Sequence, residues 1–271
     1  YPMDVKLMWI EWLSYAAAGM VAGTLAGLFG IGGGLVIVPV LVWLFSKQGM
    51  PDQYLIHMAV ATSLMTIVVT SMSSIFAHWR LGNISMLAVT RLVPGLLIGS
   101  FGGALLASLI SGDKLQIFFA TFALLMALRI WLPNARATFP ALLNRLPSSL
   151  YGLFSGALSA LVGIGGGTLI VPYLLMARLN IQQAIGSAAC CGLPIAIAGV
   201  IGFIVFAPNE INQQSAWQTG FVHWQAFLGI ILTSVIFAQF GARLAKRLPA
   251  VWLRRLFSLL LICVAAYFFS R

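Results

Sequence analysis

The sequence predicts an all-α polytopic membrane protein made of two inverted-topology repeats, with five hydrophobic segments in each. Of its 271 residues, 61% are hydrophobic and only 7% are charged, whereas a soluble domain carries about 25% charged residues. Apolar stretches recur along the whole chain, and one glycine-rich pattern occurs twice. The composition excludes an ordinary soluble domain, and it excludes a disordered chain because so many apolar side chains would bury themselves.

Ten apolar segments follow one another, at residues 15–30, 34–46, 57–77, 86–110, 115–132, 149–163, 168–179, 183–206, 221–242 and 252–270. Most of them approach the length of about 20 residues that a helix needs to cross a bilayer. The second and the seventh are too short, because at about 1.5 Å per residue each extends only about 20 Å. Both follow a glycine cluster, so we expect short broken or re-entrant helices at these two places.

An internal repeat relates the two halves of the chain. Residues 19–41 align without a gap with residues 152–174 at an offset of 133, and 13 of the 23 positions are identical. Further along, Gly103 and Ala104 recur as Gly241 and Ala242 at an offset of 138. Because each copy has an odd number of segments, the two copies are expected to enter the membrane in opposite orientations.

The charges support this division into repeat 1 (1–135), a basic cytoplasmic linker (136–148) and repeat 2 (149–271). The formal net charge is +10, but the basic residues flank apolar segments rather than form a run, which disfavours nucleic-acid binding. With alternating topology, eleven Lys and Arg residues fall on one side and four on the other. The richer side is predicted to be cytoplasmic, so both termini are expected on the opposite side.

The two glycine clusters are the best candidates for a binding site. Inverted repeats with interrupted helices are typical of secondary transporters, whose substrate site lies near the midplane where the repeats meet. A helix that starts after such a loop offers unpaired N–H groups and the positive end of its dipole to an anion. The predicted anion-binding residues are Gly32, Gly33, Gly34, Gly165, Gly166 and Gly167. The alternative is that these glycines only permit close helix crossings.

Hydroxyl side chains near the short segments complete the predicted site, since a hydroxyl can donate to an oxyanion. They are Thr168, Thr62, Ser63 and Ser187, and their alternative role is a hydrogen bond to a carbonyl of their own helix. Arg91 could pair with an oxyanion or extend to the membrane surface. Cys190 and Cys191 lie within reach of the predicted cavity, although a buried cysteine usually serves packing.

No acidic residue falls in the middle of a segment, which argues against a cation pump. The sequence shows no catalytic constellation, and the spacing of His57, His78 and His223 suits no metal site. We therefore expect neither an enzyme nor a bound cofactor or metal.

The duplicated pattern G-I-G-G-G-x-x-I-V-P resembles that of the TauE/SafE family of bacterial inner-membrane transporters. The matching positions are Gly30, Gly32, Gly33, Gly34 and Pro39, with Gly163, Gly165, Gly166, Gly167 and Pro172. The resemblance implies transport, often export, of small sulfur-containing anions such as sulfite, sulfoacetate, other sulfonates or thiosulfate. The copies differ at Leu35 and Thr168, so the site need not be symmetric.

The sequence thus favours a secondary transporter that works by alternating access, with a small sulfur-containing anion and the lipid bilayer as its partners and a homodimer as a possible assembly. An anion channel lined by the same half-helices is one alternative. A membrane sulfur-relay protein that uses Cys190 and Cys191 is the other. A metal transporter fits least well.

Overall fold

The computed structural model describes residues 5–29, 33–131, 144–212, 217–245 and 249–270. Within these ranges the chain is almost entirely helical, and a 3₁₀ turn at Asp52–Tyr54 precedes α3. The α-helices are α1 (Val5–Phe29), α2 (Gly34–Lys47), α3 (Leu55–Arg80), α4 (Met86–Leu109), α5 (Gly112–Trp131), α6 (Arg145–Val162), α7 (Gly167–Met176), α8 (Ile181–Val205), α9 (Asn209–Asn212), α10 (Trp224–Ala245) and α11 (Ala250–Phe269). A short hairpin pairs β1 (Gln218–Thr219) with β2 (Val222–His223) in antiparallel fashion.

Each of the ten predicted segments overlaps one of these helices, which confirms the all-α membrane class, although α1 begins at Val5, ten residues before its predicted start. Five helices of the described residues are long and apolar enough to cross a membrane. The prediction that residues 221–223 begin a helix is wrong, because Gly220, at φ +57°, turns the chain into the hairpin before α10. Helix α7 ends earlier than predicted, since Arg178 takes a left-handed conformation at φ +67°. Most of the predicted linker lies outside the described residues.

Large apolar side chains cover the outer surface of the helix bundle. Ile98, Leu109, Leu232 and Ile236 are each exposed over most of their surface. In water so much apolar surface would drive association, whereas hydrocarbon chains solvate it. This surface is what a multi-pass membrane protein requires.

The helices pack in pairs that join the first half of the chain to the second. Helix α1 packs along α10, α4 along α6, and α5 along α11. Glycines permit the close approach: a Cβ on Gly23 would lie 2.6 Å from the Cα of Ser234, and one on Gly156 would lie 2.6 Å from the carbonyl oxygen of Leu96. Small residues are the usual means of bringing helix backbones together in a membrane.

An antiparallel pair, α3 and α8, lies at the centre. Along it Gly186 contacts Asn83, Gly192 contacts Ser71 and Gly199 contacts Leu64, so the positions rise on one helix as they fall on the other. The short helix α2 packs on α3, and the short helix α7 packs on α8. The starts of α2 and α7, which follow the two glycine motifs, are thereby held against the central pair.

Candidate functional site

The start of α2 touches the second glycine loop beside the central helix pair. Helix α6 ends at Gly163, which has the left-handed conformation φ 69°, ψ 35°. Gly34, the first residue of α2, lies so close to Gly163 and Ile164 that a Cβ on it would be 2.9 Å from the Cα of Ile164. The hydroxyl of Ser63 donates to the carbonyl oxygen of Gly163 at 2.9 Å. The halves of the chain therefore meet at the glycine motifs, as the sequence analysis expects.

The N-terminus of α7 carries a set of unpaired backbone donors. The first backbone hydrogen bond of the helix runs from the N–H of Ile170 to the carbonyl oxygen of Gly166, at 2.8 Å. Within the part of the chain that the structure describes, nothing accepts a hydrogen bond from the N–H of Gly165, Gly166, Gly167 or Thr168. Buried helix ends normally have such partners. This one is complementary to an anion, because the helix dipole adds partial positive charge at the same place.

Thr168 and Gly167 extend this donor set. The Oγ1 atom of Thr168 is buried and has no hydrogen-bond partner among the described residues. Next to it, a Cβ built on Gly167 would have no atom within 4 Å. Free donors therefore border an open space at the start of α7.

The start of α2 is arranged differently. Gly30, Ile31 and Gly32 lie outside the described residues, so the prediction for Gly32 stays untested. Gly34 and Leu35 are buried, and Gly34 is in contact with the second loop. Gly33 is half-buried, and no described residue accepts a hydrogen bond from the N–H of Gly34 or Leu35; the difference from α7 is that both of these residues are packed.

Three of the predicted hydroxyls have protein partners. Ser63 uses its proton on Gly163, so it cannot donate to an anion in this conformation. Thr62 accepts a hydrogen bond from the N–H of His223 at 3.1 Å, and Ser187 accepts one from the N–H of Ser85 at 2.9 Å. Both Thr62 and Ser187 keep their own protons, so their assignment to the anion remains a prediction.

Ser71 and Gly192 are candidate site residues that the sequence analysis missed. Ser71 on α3 is 8% exposed, and its hydroxyl makes no hydrogen bond to any described residue. A Cβ on Gly192 would lie 3.0 Å from this hydroxyl and 3.7 Å from the N atom of Gly166. When the third segments are aligned so that Thr62 pairs with Ser187, Ser71 pairs with Ala196. A serine in one copy opposite an alanine in the other is the sequence feature that could have pointed to Ser71.

The remaining predicted residues are Arg91 and the two cysteines. Arg91 is half-buried in α4, where its carbonyl oxygen accepts a hydrogen bond from Ser149 at 3.1 Å. Cys191 is buried in an apolar cluster with Leu92 and Ile170, and Cys190 is half-buried. The position of Cys191 is that of a packing residue.

The histidines are placed by hydrogen bonds and ring contacts. The Nε2 atom of His57 lies 3.0 Å from the carbonyl oxygens of both Ala107 and Ile110, and the ring stacks on Phe221. Among the residues that the structure describes, no group of three or more His, Cys, Asp and Glu side chains could hold a metal ion.

Comparison with known proteins agrees with this architecture. Residues 15–268 match the family model described as "Sulfite exporter TauE/SafE". The chain belongs to the TauE/SafE family. A probable membrane transporter protein of Haemophilus influenzae is 38% identical over 255 residues, which are 93% of this chain and 96% of that relative. Another, of Methanocaldococcus jannaschii, is 28% identical over 245 residues, 90% of each chain.

A third probable membrane transporter protein of this kind, from Bacillus subtilis, is 29% identical over 240 residues, 86% of this chain and 89% of its own. No solved structure matches the TauE/SafE chain. Family and relatives together identify it as a multi-pass membrane transporter.

Proposed function

We propose that this TauE/SafE protein is a secondary transporter of a small sulfur-containing oxyanion, such as sulfite or a sulfonate, in the bacterial inner membrane. The observation that carries the proposal is the start of α7, where four backbone N–H groups and the Thr168 hydroxyl have no partner in the described chain. Such donors hold negative charge without a charged side chain. The family description, which refers to sulfite, supports a sulfur anion and the export direction.

The packing supports a mechanism of alternating access between two inverted repeats. Gly23 corresponds to Gly156 at the offset of 133, and Leu96 corresponds to Ser234 at the offset of 138. Gly23 contacts the backbone of Ser234, and Gly156 contacts the backbone of Leu96, so equivalent contacts occur in both copies. The central helices α3 and α8 run antiparallel, as equivalent helices of inverted copies do. In transporters built this way, one repeat moves against the other around a central site.

Replacing Gly167 with valine should abolish anion binding while the protein still folds. The valine side chain would enter the space that is open at Gly167, beside the unpaired N–H groups, and it would meet no protein atom within 4 Å of its Cβ. Without an anion, the Tm of the variant should stay close to that of the unaltered protein. The measurement is thermal stabilisation of purified protein by sulfite, thiosulfate, sulfoacetate and taurine, with acetate as a carboxylate control.

A ligand present at 100 times its Kd stabilises the state that binds it by about 2.7 kcal/mol, so the shift is measurable for the unaltered protein. The matched control is Gly102→Val, because Gly102 is also a helical glycine with open space around its Cβ; this variant should keep the shift. The proposal is refuted if no sulfur anion stabilises the unaltered protein, or if Gly167→Val responds equally. Flux from vesicles at channel rates, without saturation or counter-flow, would favour a channel instead.

A further inference from the structure

The two copies of the repeat differ at three positions that surround the glycine loops. Thr168 in the second copy corresponds to Leu35 in the first. In the alignment of the third segments, Ser71 corresponds to Ala196, and Gly192 corresponds to Ile67. At these positions the residues Thr168, Ser71 and Gly192 are polar or small, whereas their counterparts Leu35, Ala196 and Ile67 are apolar and buried.

The Ser71 hydroxyl and the Gly166 N–H form a pair of donors beside Gly192. The Ser71 hydroxyl and the Gly166 N atom both lie near the position of a Cβ on Gly192, so they are at most about 7 Å apart. An oxyanion with oxygens on several sides can accept from both donors at this separation. The absence of a side chain at residue 192 allows α8 to bring them this close.

The Ser71 hydroxyl is available for a ligand. Serine in a helix usually donates to the carbonyl one turn earlier, and Thr70, its neighbour, donates to Ile67 in this way. Ser71 does not, although it is more than nine-tenths buried. Its proton is therefore not used by any residue that the structure describes.

We infer that the transporter has an oxyanion pocket at the second glycine loop, in which Ser71 donates to the anion together with the N–H groups of Gly166–Thr168. This inference rests on the proposed function and adds to it a specificity-determining residue.

Ser71→Ala should weaken sulfite binding at least about tenfold, the usual effect of a hydrogen bond to a charged group. The measurement is the sulfite concentration that gives half of the maximal thermal stabilisation. The Tm without sulfite should not fall, because the hydroxyl has no protein partner to lose. Ser73→Ala is the matched control, since Ser73 is exposed on the same helix.

Gly192→Ala provides a second, independent variant, because its added Cβ would lie 3.0 Å from the Ser71 hydroxyl and displace it; it should weaken sulfite binding similarly. The pocket is refuted if Gly167→Val abolishes stabilisation by sulfite while Ser71→Ala and Gly192→Ala bind as the unaltered protein does. In that case the proposed function still stands. If sulfur oxyanions do not stabilise even the unaltered protein, both proposals fail.

A second inference comes from two hydrogen bonds at opposite ends of the central pair. Ser85 precedes α4 and donates its N–H to Ser187 on α8; His223 precedes α10 and donates its N–H to Thr62 on α3. Ser85 and His223 are related by the offset of 138. Both hydroxyls are fully buried, and each bond joins the third helix of one repeat to the fourth helix of the other.

We propose that these bonds are two latches, one for each face of the membrane, and that each opens only when the pocket is exposed to its own side. Ser71 and Gly192 lie between them, Ser71 about 13 Å along α3 from Thr62 and Gly192 about 7 Å along α8 from Ser187 at the rise of a helix. Both hydrogen bonds are formed in this structure. Breaking one should favour the conformation that is open on that side.

The latches can be tested by the accessibility of a cysteine introduced at Gly167, in a background without the three native cysteines. With an impermeant maleimide added at the face where α10 begins, Thr62→Val should increase the labelling rate of this cysteine about fivefold. That is the change in the population of the open conformation expected from the loss of one neutral hydrogen bond. Ser187→Ala should increase the reaction from the face where α4 begins. Equal changes on both faces, or none, would overturn the proposal.

Discussion

Replacing Gly99 with leucine should separate α4 from α6 and destabilise the protein by about 3 kcal/mol or more, the upper range for overpacking. A Cβ on Gly99 would lie 2.9 Å from the Cα of Leu153, and the obstructing atoms belong to the backbone, which cannot rotate away. The same interface includes Gly95, Gly103 and Gly156, so the helices would have to part along most of their length. The loss corresponds to a decrease in Tm of about 6–12 °C.

The matched control is Gly102→Leu. Gly102 lies three residues further along α4, and a Cβ there has no atom within 4 Å. Leucine is also a better helix former than glycine by roughly 0.5–1 kcal/mol, so the Tm of this variant should be unchanged or higher. Equal decreases for the two variants would show that α4 does not pack on α6 through Gly99.

Gly163→Ala should destabilise the protein by about 2–4 kcal/mol, because two costs add. The left-handed conformation of Gly163 costs a residue with a Cβ about 1–2 kcal/mol. The added methyl group would also lie 3.0 Å from Cγ2 of Val38 and 3.1 Å from the Cα of Val60. Such close contacts destabilise a protein in the same way as an overpacked core. The variant should also lose stabilisation by sulfite, since Gly163 positions the loop that starts α7. The measurement is Tm with and without sulfite.

Gly49→Ala separates the two costs. Gly49 has a similar conformation, φ +73°, but a Cβ there has no atom within 4 Å. This variant should lose only the conformational part, about 1–2 kcal/mol, and it should keep its response to sulfite. If Gly163→Ala is no more destabilised than Gly49→Ala, the contact between the second loop and α3 is weaker than the distances indicate.

The helices could be predicted because each is encoded locally. Runs of apolar residues give the spans, and glycine at the start of α2 and α7 interrupts them. The errors lie where local signals are ambiguous. Residues 221–223 are apolar enough to extend α10, yet Gly220 directs them into a hairpin that packs on His57 and Tyr54.

The donors at the start of α7 were predictable for the same reason, since a glycine loop followed by a short helix must leave N–H groups free. The hydroxyl partners were not. Thr62, Ser63 and Ser187 were chosen for their closeness in sequence to the short helices, but each bonds to a residue at least 100 positions away. Ser71 was passed over because nothing in its own helix marks it.

By itself, the sequence determined that this chain lies in a membrane, roughly where its helices lie, and that two glycine motifs interrupt them, because composition and periodicity act within one segment. Only the tertiary structure decided which loop is open and which hydroxyls are free. Those properties depend on the register of α3 against α8, which brings Ser71 to Gly192 across 121 positions of the chain. This register is set by side-chain packing between helices that are distant in the sequence. It cannot be read from the pattern of residues within either helix.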